Sequence, residues 1–200
     1  MSLGEENLDV NPTTYLRPIA LEDAADLFAV VDANRAHLRQ WLPWLDKNQR
    51  AADTESFIAS VIGNRQSSSG AVWVIIESAA ICGVVGFNWI DSANRSAGIG
   101  YWLDQSRQGR GIMTASVARL VRHGFEDLNL NRISINAAVE NHRSRAIPER
   151  LGFHAEGTLR QAEWLYDHFV DHVIYAQLKS EWDALTSPAP NHQSVRTINE

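Results

Sequence analysis

The sequence predicts an α+β (mixed α/β) fold, with helices flanking a mostly antiparallel sheet. Three observations predict it. Two segments of helical period come first, between residues 21 and 66. Three runs rich in Val, Ile and aromatic residues follow between residues 71 and 103, joined by short connections, the pattern of an antiparallel meander. Helical and strand patterns then alternate and end in two further strand-like runs.

Taken in order, the first dozen residues read as a polar tail and "TYLRPI" as a short strand. "LEDAADLFAVVDAN" (21–34) places Leu21, Ala24, Ala25, Leu27, Phe28 and Val31 at helical spacing. "HLRQWLPWLD" follows, and Pro43 interrupts it, because proline has no N–H for a helix interior. "AADTESFIASVIGNRQ" sets Phe57, Ile58, Val61 and Ile62 on one helical face, and "SSSG" (67–70) closes it as a turn. The strands of the meander are "AVWVII" (71–76), "CGVVGFNWI" (82–90) and "GIGYWL" (98–103). Helical period returns from Gly111 to Leu128. "NRISINAAVE" (131–140) is a strand, and "SRAIPERLGF" (144–153) a short helix ended by Gly152. Residues 154–164 and 168–178 are the last strands. The expected division is a tail over 1–12, one domain over 13–183 and a flexible tail over 184–200.

Composition narrows the function. A chain of 200 residues can bury one sizeable core. Its net charge of -6 argues against broad attraction to nucleic acid or to an anionic membrane, so an anionic ligand needs a local cluster of donors. The lone Cys82 cannot form an intramolecular disulfide, and no Cys-rich zinc pattern is present. "MSLGEENLDV" lacks the apolar stretch of a signal peptide, and no apolar run approaches the roughly 20 residues that span a bilayer, so a cytoplasmic location is expected. His168 and His172 invite a metal, but on a strand they stand about 13 Å apart, too far for one ion, and no metal is expected.

The stretch with chemistry in it is "RQGRGIMT" (107–114), between a strand and a long helix. The first turn of a helix leaves N–H groups unpaired and carries positive partial charge. Glycines let a phosphate approach the backbone, and Arg107 and Arg110 add charge. A P-loop would need Lys-Ser/Thr after Gly111, where Ile112 and Met113 stand; a dinucleotide fingerprint would need glycine at Thr114. From the glycines alone, a phosphate cradle and a plain tight turn both stand open.

A second stretch, "NHRSRAIPERLGF" (141–153), adds an Asn and a Ser three apart at a strand end, before a helix and a Gly-Phe. Together the two stretches resemble the GNAT superfamily of acetyl-CoA-dependent N-acetyltransferases. The family pattern Gln/Arg-x-x-Gly-x-Gly/Ala falls on Gln108, Gly111 and Met113, the last a departure from the small residue of the family. "WLPWLD", "IGYWLDQSRQGRGIMT", "AAVENHRS" and "LGFHAEGTLRQAEW" are similar to the ribosomal-protein-serine acetyltransferase (RimL-like) branch, over residues 13 to 183. The resemblance implies a mixed, mostly antiparallel sheet that splays after its fourth strand, with coenzyme A in the cleft. It implies that backbone N–H groups of Gly109, Arg110, Gly111, Ile112, Met113 and Thr114, with Gln108, hold the pyrophosphate. The strand edge at Trp102 and Leu103 would take the peptide-like pantetheine arm, and Asn141 would contact the cofactor. Dimers are common in this branch.

The resemblance also implies the chemistry. Acetyl transfer needs a neutral amine, and the leaving thiolate gains from a proton. Ser144 is the candidate proton donor, although its position also reads as the N-cap of the next helix. Glu163 is the candidate base, with Glu140 and Glu156 as rivals and a solvated surface charge as the plain alternative. Trp41 and Trp44 would line the acceptor cleft; the alternative is that they pack a helix end on the core. The expected acceptor is a primary amine, foremost the N-terminal α-amine of a protein or peptide of ribosomal type. The alternatives are a small amine, antibiotic or toxin, and a non-catalytic acyl-CoA-binding module on the same fold.

Overall fold

A computed structural model describes residues 4–187. Eight strands form one sheet in the order β1-β2-β3-β4-β5-β6-β8-β7. They are β1 (Leu8–Asn11), β2 (Thr14–Pro18), β3 (Ala71–Glu77), β4 (Ala80–Asp91), β5 (Ser96–Leu103), β6 (Arg132–Ala138), β7 (His154–Leu165) and β8 (His168–Leu178). Every pair is antiparallel except β5 with β6. The helices are α1 (Ala24–Ala33), α2 (Arg35–Leu38), α3 (Ala51–Gln66), α4 (Ile112–Glu126), α5 (His142–Arg150) and α6 (Lys179–Thr186).

The strand period of two explains why the meander reads as apolar runs and not as an alternation. Val74, Ile76 and Val84 face one side and bury Leu27 of α1 with Ile58 and Val61 of α3. Trp73, Ile75, Val85 and Phe87 face the other and bury Val117, Leu120, Val121 and Phe125 of α4. Covered on both faces, these strands need apolar side chains in both phases.

One feature of the pairing positions the site. β5 pairs with β6 only from Ser96 to Ile99, opposite Arg132 to Ile135. Past that point β5 runs on to Leu103, while β6 stays with β8 as far as Ala138 opposite His172. The two parallel strands therefore part, and a wedge opens through the sheet. It opens after the strand expected from the sequence to be the fourth, which is the fifth of the chain.

The difference of one is β1, which lies inside the stretch expected to be tail. Leu8 is fully buried, and Val10 packs on the same core while Asp9 and Asn11 face outward. A four-residue strand with two polar members carries too little period to be read without its partner. At the other end α6 extends to Thr186, three residues past the expected domain end. The expected tail from residue 188 onward lies outside the described residues.

Candidate active site

The turn before α4 has the form of an anion cradle. Gly109 and Gly111 both adopt left-handed backbone, with φ of +73° and +78°, and nothing lies within 4 Å of a Cβ built on either. The first hydrogen bond of the helix runs from Ala115 N–H to Gly111 O at 3.0 Å. The N–H groups of Ile112, Met113 and Thr114 stand before it, outside the helical ladder. Ile112 and Met113 bury their side chains in the core, so only their backbone is available to a ligand. For that reason the departure at Met113 leaves the donors in place.

The arginines do not carry free charge to this turn. Arg107 and Arg110 both bind the carboxylate of Glu77, a 3 % exposed residue at the end of β3. Two residues in left-handed conformation, Ser78 and Ala79, turn β3 into β4 there. Gln108 is likewise engaged: its amide bonds His37 Nε2 at 2.7 Å and accepts from Arg143 Nη1 at 2.6 Å. Burial, and then the Arg143 charge, lower the His37 pKa, which favours the neutral ring at this bond. Glu77, which no sequence motif singles out, ties the turn to the sheet.

On the same face of the sheet, α5 begins at His142, two residues before the expected start. Its cap is Asn141, whose side chain accepts from Ser144 N–H at 3.1 Å. Ser144 is thus the third helical residue and does not cap, which overturns the capping alternative for its hydroxyl. Pro148 lies inside the helix, not in its first turn. The C-terminal end matches expectation, with Gly152 at φ +80° and Phe153 N–H returning to Pro148 O at 3.0 Å. Asn141→Ala should therefore cost about 1 kcal/mol of stability, whereas Ser144→Ala should leave the melting temperature nearly unchanged. Thermal denaturation of both variants checks the assignment.

A cavity of 790 Å³ passes through the wedge and joins the two faces. Asn141, Ser144 and Tyr101 line it from the α4–α5 side. Glu163 and His172 line it from the other, with Asn136 of β6 and Asn88 of β4. Opposed strand partners share a face, so Glu163 and Val170 point the same way, as do Leu159 and His172. Between these two pairs β7 carries two more residues than β8. The bulge moves Glu163 to the place an even ladder would give Gln161. Gln161 takes up the strain at φ +52°, and its N–H is held by Asp171 at 2.7 Å. A bulge re-aims a side chain; here it brings Glu163 Oε2 to 3.4 Å from His172 Nε2.

The rival carboxylates stand elsewhere. Glu156 pairs with Arg132, which holds its pKa below the usual range, and neither it nor Glu140 lines the cavity. Asp53 does line it, but its carboxylate accepts the N–H groups of Gln49 and Arg50 at the start of α3. Glu163 is the acid of the cavity with no such duty.

Trp41 and Trp44 both line the cavity, and Trp44 also packs on Val31, Leu38 and Leu45, so the two readings of this segment hold together. Tyr166, in the turn between β7 and β8, ties this segment to the final hairpin by donating to Leu42 O at 2.6 Å. Trp102 packs its side chain on the same cluster, and Leu103 is buried in the core. Neither residue pairs with β6, so their backbone edge faces the gap. Gly98 and Gly100 leave room on this face for the side chains of Trp89 and Asn88, which a Cβ would strike. His172 as a partner of Glu163, and Asn88, Tyr101 and Tyr166, were not among the residues expected from the sequence. A signal existed only for His172, which shares a strand face with the expected base in the final hairpin.

His168 and His172 lie on one strand, and the described residues contain no group of three or more His, Cys, Asp or Glu arranged to hold a metal. Cys82 is buried, and burial pushes its thiol up to about 11, outside the range of a reactive nucleophile. No helix among the described residues is long and apolar enough to cross a membrane.

A sheet parted between two parallel strands, with a glycine turn and helix start at one face and an acid at the other, defines an acyltransferase cleft. The chain belongs to the GNAT acetyltransferase family, whose domain matches residues 14–154, and is an N-acetyltransferase. It is 32% identical over 173 residues to the ribosomal-protein-serine acetyltransferase of Escherichia coli, covering 86% of this chain and 97% of that protein. It is similar in structure to RimL, a ribosomal L7/L12 alpha-N-protein acetyltransferase solved with coenzyme A. The TM-score is 0.85 at 32% identity, over 88% of this chain and 99% of that one. It is also similar to the microcin C7 self-immunity acetyltransferase MccE solved with acetyl-CoA and AMP. There the TM-score is 0.83 at 32% identity, over 88% and 98% of the two chains.

Proposed function

We propose that the protein transfers an acetyl group from acetyl-CoA to the N-terminal α-amine of a protein or peptide, of the ribosomal-protein type. The observation that carries this reading is the two-sided wedge: Ser144 on the face of the glycine turn, and Glu163 on the face of the acceptor cavity. The fold fits the cofactor. Left-handed Gly109 and Gly111 leave open space beside unpaired N–H groups, where a pyrophosphate would rest. The free edge of Gly100 to Leu103 suits the amide-bearing pantetheine arm, and Asn141 Nδ2 can donate to it. When bound, acetyl-CoA supplies the acetyl thioester.

The residues then divide the work. Glu163 receives a proton from the attacking amine. Ser144 gives one to the departing sulfur. Trp41, Trp44 and Asn88 form the walls that orient the acceptor. An α-amine, with a pKa near about 8, asks less of a carboxylate base than a lysine near about 10.4. A ribosomal-protein acceptor is met in the cytoplasm, and this reading places the protein there; it also admits a homodimer.

A second reading has the aromatic lining in its favour. Trp41, Trp44, Phe57 and Trp89 would also suit a small amine that carries a planar group, and MccE was solved with AMP. One screen separates the two. Acetyl-CoA is offered with short peptides, their N-blocked lysine analogues and amino-bearing nucleotides, and products are read by mass spectrometry. Acetylation confined to free peptide N-termini is the expected result; acetylation of the nucleotides alone selects the second reading. Release of thiol with no acetylated product from any amine overturns both.

A further inference from the structure

Pro148 sits in the interior of α5 and has no N–H. The carbonyl four residues back, that of Ser144, is therefore denied its helical donor. Tyr101 of β5 supplies one from across the wedge: its hydroxyl donates to Ser144 O at 3.1 Å. The same phenol oxygen accepts from Ser144 Oγ at 3.2 Å. Tyr101 faces the α4–α5 side, opposite in phase to Trp102, and burial raises its pKa to about 12, so it keeps its proton.

We infer that Tyr101 is the positioning residue that sets the Ser144 hydroxyl for proton delivery in the wedge, anchored on the carbonyl that Pro148 leaves free. The inference rests on the reading of Ser144 as proton donor. Tyr101 has two acceptors on one residue, and its O–H can rotate between them. With the proton toward the carbonyl, the Ser144 hydroxyl is parked on the phenol. With the proton toward Ser144 Oγ, the serine proton is released toward the cavity that both residues line. The exchange moves no heavy atom and keeps the serine oxygen in place. Proton balance is simple: Ser144 gives its O–H proton to the departing sulfur, and the proton removed from the amine on the other side of the wedge restores it through solvent.

A merely structural role is the competing explanation, because the buried carbonyl needs a donor in any case. Three substitutions, combined in four variants, separate the two. Tyr101→Phe should lower kcat about tenfold with the KM for acetyl-CoA nearly unchanged, and should lower the melting temperature. Adding Pro148→Ala returns an N–H to the carbonyl, so the double variant should regain melting temperature while kcat stays low. In a Ser144→Ala background, Tyr101→Phe should lower kcat no further. If Pro148→Ala restores kcat along with stability, or if Tyr101→Phe lowers kcat equally with and without Ser144, the inference is overturned. A Ser144→Ala enzyme with wild-type kcat would instead remove the proton-donor reading, and this inference with it.

Discussion

Glu163→Gln should cut the rate of acetyl transfer to a short peptide by about a hundredfold or more, the usual scale for losing a general base, while acetyl-CoA binding is unchanged. The reasons are positional. Glu163 lies on the face of the wedge opposite the glycine turn, so its carboxylate has no part in holding phosphate. Glutamine keeps the size and the place beside His172 but cannot take a proton. The acceptor must then lose its proton to solvent before it attacks. Below a pKa of about 8 for an α-amine, the neutral fraction rises tenfold per pH unit, so the residual rate of the variant should climb with pH across that range. A pH series on both enzymes, with a peptide and its N-blocked lysine analogue, checks this. A wild-type rate and profile in the variant would exclude Glu163 as base. A wild-type preference for the lysine analogue would exclude the α-amine.

Gly111→Asp should weaken coenzyme A binding at least a hundredfold in a protein that still folds. The open space around Gly111 means that the added side chain meets nothing in the protein. The left-handed φ of +78° is one that Asp and Asn tolerate better than other residues. The damage comes from charge. A carboxylate beside the first turn of α4 competes for the unpaired N–H groups and faces the pyrophosphate. Two like charges about 4 Å apart near a protein surface repel by about 4 kcal/mol before solvent screening. Gly111→Asn has the same size and backbone preference without the charge, and should keep most of the affinity. Calorimetry with coenzyme A on the two variants distinguishes them. Equal, wild-type affinity in both would remove this turn from the binding site.

The sheet was legible because its central strands are buried on both faces, and two-sided burial leaves long apolar runs. The glycine turn was legible because left-handed backbone selects glycine locally, at Gly109 and Gly111. Gly152 announced the end of α5 for the same reason. The family resemblance supplied Asn141, Ser144 and Glu163, and the wedge brings all three to one cavity. Ser144 and Asn141 exchange one expected duty: the amide caps and the hydroxyl does not.

The sequence by itself determined what depends on near neighbours: most of the order of helices and strands, and the glycine turns at Gly109, Gly111 and Gly152. Only the tertiary structure decided the pairings between distant residues. β1 is a strand because β2 lies beside it. Arg107 and Arg110, expected to serve a phosphate, serve a carboxylate 30 and 33 residues away in the chain. Glu163 points into the cavity because β7 holds two more residues than β8 between matched pairs. Tyr101 donates, from 43 residues away, to the Ser144 carbonyl that Pro148 leaves without a helical donor. In each case the deciding quantity is a donor, an acceptor or a register that a second segment must satisfy, and such a demand becomes visible only once the chain has brought the two segments together.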